Sequence, residues 1–82
     1  MSKKGFQQRL KQLRDRRGMR QYVLADLSDL SGDMIRLYER GEKEPTLSSL
    51  ENIANVFDVS LDYLVGRTDY PSVVKSDRFK EL

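Results

Sequence analysis

Between residues 47 and 57 the apolar side chains Leu47, Leu50, Ile53, Ala54 and Phe57 recur every three or four positions, the period of one face of an α-helix. A chain carrying this stripe must bury it against other elements. Thr46 just before it is a good helix cap. Phe6, Leu10 and Leu13 repeat the spacing and predict a first helix that ends near Gly18. Gln21 to Ser28 sets Leu24, Ala25 and Leu27 near one another in a segment too short to stay helical unless it is packed. The run Asp29-Leu30-Ser31-Gly32-Asp33 is dense in turn formers, and Ser31 can cap a third helix running through Ile35 and Tyr38 to Gly41. Glu42-Lys43-Glu44-Pro45 is a polar loop leading to the fourth helix. Asp58-Val59 is a short link, Ser60 a further cap, and Leu61 to Val65 a last turn or two stopped by Gly66. The expected fold class is therefore all-α, with five short helices, no repeat and no strand pair.

Composition removes most catalytic chemistry. At 82 residues the chain makes one small domain, expected over residues 1–66, with tail composition over 67–82. It has no Cys, His or Trp, which excludes disulfides, thiol nucleophiles, zinc fingers and an imidazole base. No nucleophile, base and orienting group are grouped, and no glycine-rich phosphate loop exists, so neither an enzyme nor a cofactor or metal site is expected. Apolar content is 38% against 34% charge, no apolar run approaches the roughly 18 residues of a membrane span, and the basic start lacks a signal-peptide core. A cytoplasmic setting is expected.

Charge is unevenly spread. Residues 1–20 hold eight of the 15 basic and one of the 13 acidic residues, a net +7, which leaves −5 for the remainder and +2 overall. Such polarity suggests one face that attracts a polyanion and another shaped for solvent or a protein.

Two short helices joined by a tight turn suggest a helix-turn-helix unit, whose second helix enters the major groove of DNA. The residues Gln21, Leu24 and Ala25, then Ile35, Tyr38-Glu39-Arg40-Gly41, Pro45, Leu50, Ile53, Ala54, Phe57, Val59, Ser60, Asp62 and Leu64 resemble the Cro and phage-repressor (Xre-like) type of helix-turn-helix regulator over about residues 6–66. That resemblance implies a compact lambda-repressor-like domain in which helices 2 and 3 form the helix-turn-helix. It further implies a sequence-specific regulator of transcription, a repressor that binds a near-palindromic double-stranded operator as a homodimer. A structural ion pair between Arg14 and Glu39 is implied as well. The alternative is a protein-interaction module that keeps the fold and has lost specific DNA readout.

The family's base-reading positions map onto Ser31, Gly32, Asp33, Arg36 and Leu37. Of these, Arg36 can bond guanine O6 and N7 together, Asp33 can accept from cytosine N4 or orient Arg36, and Leu37 can cover a thymine methyl. Phosphate contacts are expected from Arg20 and Gln21 at the start of the second helix and from Arg40 and Lys43 beyond the third. Three positions depart from the family pattern. Asp29 stands where the turn usually has Gly, in backbone that tends to need positive φ. Ser28 replaces an apolar residue with Leu27 one place earlier, so the end of the second helix is expected to rotate or repack. Arg20 replaces a capping Ser or Thr. Val65, Tyr70, Val73, Val74 and Phe79 are candidate dimer contacts.

Overall fold

The computed structural model describes residues 3–71 and contains five helices: α1 (Lys3–Arg16), α2 (Gln21–Leu27), α3 (Gly32–Glu39), α4 (Leu47–Phe57) and α5 (Leu61–Leu64). Among the described residues there is no strand. Three helices start on hydroxyl caps: Ser31, Thr46 and Ser60 each accept from the backbone N–H three residues on, at 3.1, 3.1 and 3.0 Å. Arg20 precedes α2 without any side-chain cap.

All five helices stop in one way. The chain turns into left-handed backbone at Gly18, Asp29, Gly41, Asp58 and Gly66, with φ between 55° and 83°. The next N–H then reaches back over the end of the helix, as Leu30 N–H does to the Ala25 carbonyl at 2.8 Å and Arg67 N–H to the Asp62 carbonyl at 2.8 Å. At Gly66 a second constraint acts, because a Cβ there would lie 3.0 Å from the Cα of Gly5. Glycine lets α1 and the end of α5 touch backbone to backbone.

The core gathers Phe6, Leu10 and Leu13 from α1, Leu24 and Ala25 from α2, Ile35 and Tyr38 from α3, Leu50, Ile53, Ala54 and Phe57 from α4, and Val59, Tyr63, Leu64 and Val65 at the end. Phe6 and Tyr38 meet edge to face, ring centres 5.6 Å apart. The buried Tyr38 hydroxyl donates to Ser49 Oγ at 3.2 Å, so the one polar atom on that side chain is satisfied.

Three apolar expectations are corrected. Leu27 is 57% exposed while Ser28 is 1% exposed, so α2 keeps its register and a serine occupies the inward slot, without rotation of the helix end. Burial of Ser28 is tolerated because its Oγ donates to the Leu24 carbonyl at 2.6 Å. Leu47, at the exposed start of α4, lies outside the core. Val65 is buried within the domain, which leaves little of it exposed for the expected dimer contact. Tyr70 is exposed, and Val73, Val74 and Phe79 lie outside the described residues.

Candidate nucleic-acid interface

The first turns of α2 and α3 face one another across an open cleft of about 740 Å³ lined by Arg14, Arg20, Gln21, Tyr22, Ser31, Gly32, Asp33 and Arg36. Its frame is set by helix ends. The turn over Ser28 to Ser31 fixes where α3 starts, and Asn52 of α4 clamps it by donating to the Ser28 carbonyl at 3.0 Å.

Beneath the cleft lies an ion pair that ties three helices. Arg14 Nε donates to Glu39 Oε2 at 2.6 Å and its Nη2 to Oε1 at 2.9 Å, a two-pronged bond between largely buried side chains. The remaining Nη1 donates to the Met19 carbonyl at 2.8 Å. Hydrogen bonding to Glu39 raises the Arg14 pKa above its ordinary value, against an opposing effect of burial, so the guanidinium stays charged. Gln21 joins the pair through Nε2, which donates to Glu39 Oε1 at 3.1 Å. An amide nitrogen has two hydrogens, so Gln21 keeps one for an acceptor outside.

Of the residues expected to touch DNA, the cleft brings together Arg20, Gln21, Ser31, Gly32, Asp33 and Arg36. Leu37 is half-buried and outside it, while Arg40 and Lys43 are exposed past the end of α3. Arg36 Nη2 pairs with Asp33 Oδ1 at 2.9 Å one turn back, and Arg40 Nε with Glu42 Oε2 at 2.6 Å, both as ion pairs. Arg20 makes no ion pair among the described residues. Tyr22, 67% exposed on the cleft wall, escaped the sequence reading; the only signal for it was an aromatic residue directly after Gln21.

Four of the eight basic residues of segment 1–20 are engaged with the fold, so its charge is not all free for a polyanion as a charge count alone suggests. Arg17 donates to the Val56 and Phe57 carbonyls at 3.1 and 3.0 Å, placing a cation on the C-terminus of α4. Arg9 lies 3.8 Å over the Tyr63 ring and Arg16 donates to the Tyr63 hydroxyl at 3.2 Å. With Arg14 on Glu39, four of the block's cations hold the fold together.

The helix-turn-helix family model (HTH_3) matches residues 10–64. The chain belongs to this family, of the Cro and phage-repressor type whose pattern its residues resemble. Among relatives from Bacillus subtilis strain 168, it is 34% identical over 77 residues to the uncharacterized HTH-type transcriptional regulator YqaE, covering 94% of this chain and 66% of that one. It is 38% identical to the uncharacterized HTH-type transcriptional regulator YobD over 78% of this chain and 57% of that one. With the HTH-type transcriptional regulator ImmR it shares 29% identity, over 84% of this chain and 54% of the relative. The chain thus spans between about half and two thirds of the length of these relatives. Among solved structures, that of Fe(II) HppE in complex with substrate superposes with a TM-score of 0.69 at 33% identity, over 77% of this chain and only 37% of that one. Among the described residues no helix is long and apolar enough to cross a membrane.

Proposed function

We propose that this protein is a sequence-specific, double-stranded DNA-binding regulator of transcription, a repressor that occupies a near-palindromic operator as a homodimer. The observation that carries this reading is the cleft where Arg20, Gln21, Ser31, Gly32, Asp33 and Arg36 open to solvent together. Family membership and the printed names of the relatives agree with it. In this reading α3 enters the major groove with its first turns against the bases. Arg36 swings from Asp33 to guanine O6 and N7, Asp33 accepts from cytosine N4, Leu37 meets a thymine methyl, and Ser31 and Gly32 bring the helix start close to base edges. Arg20 and Gln21 hold phosphate on one side, Arg40 and Lys43 on the other, which fixes register without reading sequence. Two copies would read half-sites about 34 Å apart, with exposed Tyr70 the described candidate for contact between them. The setting is the cytoplasm of a bacterium, with the gene its own or a phage's.

Selection of bound sequences from a random duplex pool tests this. We expect an enriched near-palindrome, and an Arg36→Ala variant that loses about 1–3 kcal/mol of discrimination at one base pair of each half-site. An Arg36→Ala protein that selects the same motif with the same stringency would remove Arg36 from base reading. A pool with no enrichment would leave the protein-interaction module, which the carboxylates on α3 and its following loop favour.

A further inference from the structure

Both arginines of the α3 face already hold a carboxylate from the same exposed surface. Arg36 is ion-paired with Asp33 and Arg40 with Glu42, and all four side chains are about half exposed or more. Apart from Glu39, which is buried on Arg14, residues 31–44 expose Arg36, Arg40 and Lys43 against Asp33, Glu42 and Glu44, so the segment offered to a polyanion carries no net positive charge. Gly32 adds no side-chain donor beside them, although a Cβ there would meet nothing within 4 Å and packing does not demand glycine.

Resting on the DNA-binding function above, we propose that Asp33 is a specificity-determining residue that works by rejection, and that Glu42 lowers the overall level of binding. Non-specific binding consists of phosphate contacts that release counterions. An arginine that already has a carboxylate gains little by exchanging it for a phosphate, and the exchange strands the acid beside other phosphates. For the Arg36 pair, a matched site removes this penalty. Guanine O6 and N7 take the guanidinium while cytosine N4 donates to the freed Asp33 carboxylate, so neither partner is orphaned. Arg40 faces only phosphate, so its bond to Glu42 taxes every duplex alike. Specificity is a difference of affinities, and Asp33 enlarges it from the unfavourable side.

The test compares Asp33→Asn, Glu42→Gln and, as a control for net charge alone, Glu44→Gln. Each variant, its fold checked by thermal melting, is titrated with the duplex enriched from the random pool and with a mixed-sequence duplex of equal length, across a range of salt. Asp33→Asn should bind the mixed duplex roughly five- to tenfold more tightly at 0.1 M salt, with a slope of log affinity against log salt steeper by about 0.9, one phosphate contact. It should bind the enriched duplex no more tightly, so the ratio between the two falls. Glu42→Gln should tighten both duplexes by a similar factor, and Glu44→Gln should move both by about twofold or less. Equal shifts of both duplexes in Asp33→Asn, or shifts no larger than those of Glu44→Gln, would overturn the proposal while leaving DNA binding intact. If the wild type enriches nothing and neither it nor Asp33→Asn binds the mixed duplex, the DNA-binding function falls and the proposal with it.

Discussion

Asp29 and Asp58 take up left-handed backbone, φ 58° and 55°, at the helix ends where Gly18, Gly41 and Gly66 do the same work elsewhere. A left-handed L-residue costs about 1–2 kcal/mol, partly relieved for Asp by its short polar side chain. Glycine removes that strain and returns some of the gain as unfolded-chain entropy. Asp29→Gly and Asp58→Gly should therefore each stabilise the domain by about 0.5–1 kcal/mol in urea unfolding, and a loss at either site would show a side-chain contribution that outweighs the backbone. The opposite holds at the pair between Arg14 and Glu39. Removing either partner leaves a charge largely out of water, so Arg14→Ala and Glu39→Ala should each cost about 3 kcal/mol or more. The double variant should lose far less than the sum, and simple additivity in that cycle would show the two side chains acting independently.

At the scale of elements, α1 works as a strut that grips the C-terminal half. Arg17 holds the last carbonyls of α4, Arg9 and Arg16 bracket Tyr63 of α5, and Gly5 lies against Gly66. Helix ends are set by local chemistry, but their mutual placement depends on these few close approaches. Two glycines separate the two effects. Gly66→Ala adds a Cβ 3.0 Å from the Gly5 backbone at φ +83° and should cost about 1–2 kcal/mol or more. Gly32→Ala meets open space in ordinary helical backbone and should gain about 0.4–1 kcal/mol. Thermal melting of both variants checks the pair; similar melting temperatures would mean that α1 and the end of α5 can separate at little cost.

For the whole molecule, the division of charge predicts two classes of basic residue. Arg9 and Arg17 are tied to neighbouring helices, Arg17 at the surface, whereas Arg20 and Lys43 have no ion pair among the described residues. Substituting Arg20 or Lys43 by alanine should weaken all duplexes alike and reduce the salt slope by about 0.9 each. Arg9→Ala and Arg17→Ala should lower the melting temperature and leave that slope unchanged. A slope reduced by Arg9→Ala or Arg17→Ala would restore the basic N-terminal block as a single DNA-facing surface.

Much of the architecture was legible because it is written in neighbouring residues. Helical spacing of Leu50, Ile53, Ala54 and Phe57, hydroxyl caps at Ser31, Thr46 and Ser60, and the stops at Gly18, Gly41 and Gly66 act over a few positions, where backbone geometry leaves little choice. The left-handed turn at Asp29 was readable only beside the family pattern, since Asp by itself does not require it. What belongs to the tertiary structure is the set of partners. Arg14 and Glu39 are separated by 25 residues, Arg16 and Tyr63 by 47, and Arg17 and Phe57 by 40. A charge count cannot tell cations engaged with the fold from those left facing a ligand. The same reason explains Leu27 and Ser28, where hydropathy favours burying leucine but the helix phase fixed by Leu24 and Ala25 points serine inward. By itself the sequence determined the helices and their ends, because those energies are local; the fold decided which side chains remain for function, because that depends on which neighbours packing brings within reach.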